Sequence, residues 1–156
     1  MGYELRDHTA DVAVAATGDS LEGVFASVAD GLAAASCDEI PAADADESGD
    51  RFSVTVAAES REALLFDYLD EVIYLRDVRA ELPVDHCVEA IREPGEAADD
   101  DGNGDEPDDN RWSLEATARG VPLAEIDARE VKAVTYSEME LERRDDGWEA
   151  YVVFDV

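Results

Sequence analysis

The residues with the most chemistry in this chain stand at its two ends. Near the start, RDHTADVAVAA (residues 6–16) carries His8 and Asp11 three positions apart, directly before a run of small apolar residues. At the other end, VVFDV keeps its alternating pattern to the last residue, although chain ends normally fray. A strand continued that far sets the side chain of Asp155 beside the terminal α-carboxylate of Val156. Two hard anionic groups at a strand end repel one another unless a cation lies between them. A third carboxylate arriving from Asp11 would complete an oxygen cluster suited to Ca²⁺ or Mg²⁺, with waters and a backbone carbonyl filling the shell. On spacing alone the simpler reading is three unrelated surface acids among 41, because carboxylates are ordinarily exposed.

Other constellations are weaker. Asp99, Asp101, Asn103 and Gly104 match the opening of a calcium-binding EF-hand loop. Position twelve is then Asn110 where a bidentate Glu is required, Pro107 falls late in the loop, and flanking helices are missing, so a solvated, disordered acidic insertion is expected. A zinc site from His8, His86, Cys37 and Cys87 is disfavoured because adjacent residues of a regular strand face opposite ways. There is no G-x-S-x-G elbow, no phosphate cradle and no dinucleotide fingerprint.

The bulk properties narrow the setting. At 156 residues the chain has the length of one domain. No apolar run approaches the roughly 18 residues of a membrane helix and no signal peptide opens the chain, so a cytoplasmic protein without membrane contact is expected. Cys37 and Cys87 are read as reduced thiols. Twelve basic residues against 41 acidic ones give a net charge of −29, and Lys132 is the single lysine. Counterion release needs clustered Lys or Arg, so direct high-affinity nucleic-acid binding is not expected, and a basic protein partner fits better. The acidity itself is read as adaptation to a salt-rich cytoplasm, where excess carboxylates keep a protein soluble.

Periodicity supplies the elements that must position these groups. Residues 2–6 and 11–16 are read as short strands with His8 and Asp11 in the connection. Leu21, Val24, Phe25, Val28 and Leu32 recur at helical spacing after a cap at Asp19 or Ser20, so a helix buries one stripe. Gly23 and Gly31 within it require tertiary packing to hold it. Residues 37–50 are read as an acidic loop, and RFSVTVAA as a half-buried strand. A second helix starts at Ser60, with Leu65, Leu69, Val72 and Ile73 on its buried face. Strand-like stretches follow at 79–93 and 111–118. The last third, VKAVTYSEMELERRDDGWEAYVVFDV, is read as two strands joined around Asp146-Gly147, with a phase slip between Tyr136 and Met139 that predicts a bulge. The expected fold is α+β, a single domain over 1–156 in which an antiparallel β-sheet is covered by two α-helices, with acidic loops at about 38–50 and 95–110.

DHTADVAV near the start, with VKAVTYSEMELERRDDGWEAYVVFDV at the end, resembles the archease family. GDSLEGVFASVADGL and SREALLFDYLDEVIYL also look like family segments, so the likeness covers roughly residues 5–35, 60–76 and 129–156. The resemblance implies a small α+β protein that is not itself an enzyme but activates the tRNA-splicing RNA ligase, promoting guanylylation of the ligase and its multiple turnover. It also implies a divalent metal, Ca²⁺, held by Asp11, Asp155 and Val156. Two departures stand out: Ser137 replaces a histidine that family members often carry after TY, and Ala13 replaces a glycine. Lys132 is a candidate contact to a phosphate or to the ligase. His8 is expected to hold its connection by hydrogen bonds. Two rival readings are a metal-dependent hydrolase built on the same carboxylates and a general acidic adaptor or chaperone-like module.

Overall fold

The computed structural model describes residues 2–8, 11–37, 51–93, 111–126, 131–144 and 147–155. Strands β1 (Gly2–His8) and β2 (Asp11–Gly18) precede helix α1 (Leu21–Ser36), then β3 (Arg51–Ala58) and helix α2 (Arg61–Arg79). Strands β4 (Glu81–Arg92), β5 (Trp112–Pro122), β6 (Ala133–Arg144) and β7 (Gly147–Asp155) complete the order. Both helices start on a serine cap, which satisfies an otherwise unpaired first-turn N–H. Ser20 Oγ accepts from the Gly23 N–H at 2.9 Å and Ser60 Oγ from the Ala63 N–H at 3.0 Å. Of the two expected caps for α1, Ser20 is the one used.

The α+β expectation holds, but the strands divide between two antiparallel sheets, β1-β2-β7-β6 and β3-β5-β4. Local alternation marks a strand without naming its partner, so the partition is not visible in the pattern. Helix α1 packs against β1, β2 and β7 of the first sheet and β4 of the second, while α2 packs against β6 and all three strands of the second. Helix α1 therefore buries more than one stripe. None of its residues is exposed, and Ser27, Ala29, Gly31, Ala33, Ala35 and Ser36 are buried beside the predicted Val24, Phe25, Val28 and Leu32. Gly31 is the point of closest approach: a Cβ there would lie 2.5 Å from Val14 Cγ1. Small residues let the helix sit between strands at the expense of intrinsic helix propensity, and packing on both sides makes up the difference.

At the start of β7, Trp148 of the first sheet and Trp112 of the second share the Arg61 guanidinium, 5.0 and 5.8 Å from the two ring centroids. This cation–π pair ties the sheets at one end. The hairpin turns where the Asp146-Gly147 signal puts it, with Arg144 opposite Gly147. The phase slip in β6 is a register shift between Thr135 and Glu140, with Glu138 at φ 70°. A second irregularity, in β4 between Val84 and Cys87, holds Asp85 at φ 52°. The acidic stretches 38–50 and 94–110, with the EF-hand-like motif, lie outside the described residues. Among those residues no helix is long and apolar enough to cross a membrane.

Candidate functional site

Strand β7 lies between β2 and β6, and its last described residue is where the two ends of the chain meet. Asp155 is the Cα partner of Asp11 on one side and of Ala133 on the other, and Asp11 in turn is the partner of His8. The order His8, Asp11, Asp155, Ala133 is thus one transverse row across all four strands. His8 and Asp11 are strand residues joined by a two-residue connection, where the sequence placed them in the connection itself. Lys132, immediately before β6, donates its backbone N–H to the Asp155 carbonyl at 2.8 Å. Both Asp155 and Lys132 are exposed.

The neighbouring row fixes this register. One position inward Phe154 is the partner of Val12 on one side and of Val134 on the other, and all three are buried. A slip of one residue would move an apolar set to the wrong face of the sheet, so core packing holds Asp11 opposite Asp155. Val131, fully buried, anchors the approach to Lys132, and Thr135 Oγ1 donates to the Val153 carbonyl at 3.2 Å. Val156 lies outside the described residues, and of His8 and Asp11 the strand register alone is described. Ser137 falls within the β6 bulge. Carboxylates paired across a ladder at a sheet end supply hard oxygen donors, the set that Ca²⁺ and Mg²⁺ prefer.

A second polar cluster, which sequence reasoning missed, is buried where α1, α2 and β4 meet. His86 Nε2 lies 3.1 Å from the Pro83 carbonyl oxygen and Nδ1 lies 3.5 Å from the Tyr68 hydroxyl. A carbonyl only accepts, so Nε2 carries the proton and Nδ1 receives the Tyr68 O–H. The His86 backbone N–H donates to Asp30 Oδ1 at 3.0 Å. Burial holds the imidazole neutral, lowering its pKa to about 4. Burial also pushes the Tyr68 phenol upward, and it raises the Asp30 carboxyl against the opposing hydrogen bond from His86. Beside it, Arg119 Nε donates to Asp85 Oδ2 at 2.7 Å, and an Arg51 guanidinium N–H donates to the Asp85 carbonyl at 2.7 Å. These contacts pin the β4 bulge. The only signal for them in the sequence is a histidine interrupting an otherwise strand-like stretch.

The disfavoured zinc set stays apart from any such role: His86 has both ring nitrogens engaged, and Cys87 is exposed where His86 is buried. Cys37 is buried at the end of α1. Among the described residues no group of three or more His, Cys, Asp or Glu side chains is gathered so as to hold a metal.

Over residues 3–156 the chain matches the archease protein family. It is 32% identical to the archease of Methanosarcina acetivorans over 158 residues, covering 99% of this chain and 95% of that one. The archease of Pyrococcus furiosus is 31% identical, with 99% and 98% covered. Among solved structures, the solution structure of Methanobacterium thermoautotrophicum protein 1598 superposes with a TM-score of 0.71 at 29% identity, covering 99% of each chain. The crystal structure of a Thermotoga maritima archease, described as a possible chaperone, superposes with a TM-score of 0.55 at 20% identity, covering 98% and 96%. That last likeness speaks to the fold alone.

Proposed function

This chain belongs to the archease family, and from that premise we propose that it is a protein activator of the tRNA-splicing RNA ligase. In this reading it promotes guanylylation of the ligase and its repeated turnover, and it catalyses no step alone. The observation that carries the reading is the register that sets Asp11 opposite Asp155. Directly opposed residues of an antiparallel ladder have Cβ atoms about 4.5–5.5 Å apart, a separation that two carboxylates sharing one divalent ion can span. Asp11, Asp155 and the carboxylate of Val156 would hold Ca²⁺. A bound divalent ion supplies positive charge next to phosphoryl oxygens, which is what such transfers need most. The exposed Lys132, tied through its backbone to Asp155, adds a cation at the same edge and is assigned to ligase or phosphate contact, with His8 at the far end of the row.

The net charge of −29 supports a protein partner over direct RNA contact. The decisive experiment counts ligation products per ligase molecule, with ligase limiting, in the presence and absence of this protein. Many turnovers with it and few without it are expected. Equal counts would overturn the reading, and hydrolysis of a phosphoester by the isolated protein would favour the hydrolase alternative instead.

A further inference from the structure

Four large apolar side chains stand exposed among the described residues, and three of them, Tyr74, Val78 and Tyr136, lie on or beside α2. Phe66, Asp70, Tyr74 and Val78 follow one another at i, i+4 spacing. They form a single ridge along α2 about 18 Å long at 1.5 Å per residue. At its N-terminal end the Phe66 ring stacks on Tyr136 of β6, with centroids 4.8 Å apart and planes 12° from parallel. Acids interleave with the rings. Asp70 forms no ion pair among the described residues, and neither does Asp67, although the Arg111 charge partly offsets the desolvation and the Asp70 charge that raise the Asp67 carboxyl; Asp77 is taken by Arg76 at 3.0 Å. Partial desolvation, then the charges of Asp67, Glu62 and Glu59, raise the Tyr136 phenol against the opposing hydrogen bond with Ser60.

An apolar ridge set among carboxylates rejects most occupants that this chain could supply. The two segments at 38–50 and 94–110 carry six and eight acidic residues and not one Lys or Arg. A second copy brings another −29. Both would meet the ridge with like charge. Arginine and lysine side chains have the complementary form: apolar stems that lie along aromatic and aliphatic surface, and cationic heads that seek carboxylates and ring faces.

We propose that the exposed face of α2, together with Tyr136, is a docking surface for an arginine- and lysine-rich segment of a protein partner. Tyr74, Val78 and the Phe66–Tyr136 stack cover the stems, and Asp67 and Asp70 receive the charges. The surface is separate from the row at Asp155 and does not depend on the activator reading. Only four positions separate Lys132 from Tyr136, about 13 Å of extended chain, so one partner could span both.

The test measures fluorescence anisotropy of a labelled peptide of alternating Arg and Leu with the full-length protein, at 0.15 M and 0.5 M salt. A surface of net charge −29 attracts any cation, so the informative variant leaves charge untouched. Tyr74→Ser combined with Val78→Ser is expected to weaken binding roughly tenfold at both salt concentrations, the effect of losing an anchor side chain. Glu89→Gln with Glu93→Gln, which removes two exposed charges on the β4 side, is expected to change it less than about twofold. Tyr136→Ser tests the far end of the ridge, and circular dichroism melting of each variant checks that it folds. Unchanged affinity in the double serine variant would overturn the proposal, as would an equal loss in the glutamine control. Preferential binding of polyglutamate or single-stranded RNA would overturn it too, and so would a wild-type dimer that the serine variant dissolves. Loss of peptide binding with ligase turnover intact would leave the docking surface standing and detach it from the ligase.

Discussion

Two polar clusters in this molecule contain the same residue types, a histidine, aspartates and a basic group, yet they differ in every physical respect. Around His86 the imidazole and the Tyr68 phenol are buried and shifted in pKa, and the His86 N–H is held by the half-buried Asp30. Along the row from His8 to Ala133 the elements are strand ends, and the described side chains, Asp155 and Lys132, are exposed. Perturbed titration in a buried cluster is often read as a mark of function. Here the His86 ring has both nitrogens engaged beside a bulge, while Asp155 and Lys132 at the row stand exposed to solvent. A fully satisfied buried network rigidifies; an edge with uncommitted charges is where a ligand or partner can enter.

The largest effect that could break this contrast is on stability at the buried cluster. Tyr68 is fully buried, stacks on Phe25 with centroids 6.3 Å apart, and supplies the hydroxyl facing His86. Tyr68→Ala is expected to destabilise by about 3–5 kcal/mol, the range for removing a core aromatic. Urea unfolding measures it, and a loss below about 1 kcal/mol would show that the cluster is not structural.

Next in size is a pH effect. The folded-state pKa of His86, about 4, lies below the roughly 6.5 of an unfolded histidine. Between those values the unfolded chain binds the extra proton, so stability rises with pH across the window and is lost as pH falls from 6.5 toward 4. The slope is about 1.4 kcal/mol per pH unit and the total about 3 kcal/mol. Asp30, whose carboxyl is raised, works in the opposite sense by favouring the folded state once protonated. The difference between wild type and His86→Gln, measured by urea unfolding at a series of pH values, isolates the histidine. Parallel curves for the two would refute its neutral burial.

The two clusters also differ in how far the sequence exposed them. Asp11 and Asp155 could be nominated from the chain ends because alternation is local, and the bulge in β6 showed as a phase slip between Tyr136 and Met139. Their pairing rests on a register that depends on Val12, Phe154 and Val134 meeting from three separate strands, information no single window holds. The β4 bulge was invisible for the same reason. Asp85 sits at φ 52° because Arg51, Arg119 and the contacts of neighbouring His86 hold that stretch from other elements. Helix α1 misled in a different way. Alanine, serine and glycine are neutral in a hydrophobic periodicity, so a helix that also buries small residues beyond its main stripe shows only the stripe made by its large ones.

At the row itself the effects on stability shrink and those on binding remain. Asp155→Asn removes one formal charge from an exposed residue, so stability is expected to stay within about 0.5 kcal/mol of wild type. Calcium affinity is expected to fall roughly tenfold, equivalent to about 1.4 kcal/mol. Calorimetry reads the affinity, and an unchanged value takes Asp155 out of the site.

The smallest perturbation is the sharpest. Lys132 is exposed and forms no ion pair among the described residues, while its role toward Asp155 is carried by the backbone N–H, which substitution leaves in place. Lys132→Gln should therefore leave both the melting curve and calcium affinity nearly unchanged, with stability within about 0.5 kcal/mol. If the side chain contacts the ligase or a phosphate, turnover with limiting ligase drops while the other two measurements hold still. Restoration by Lys132→Arg would show that a cation suffices, because arginine keeps the charge but not the shape of the ammonium group. Turnover equal to wild type in Lys132→Gln would confine the working part of the row to its carboxylates. A fall in calcium affinity instead would mean that the lysine helps to shape the metal site itself.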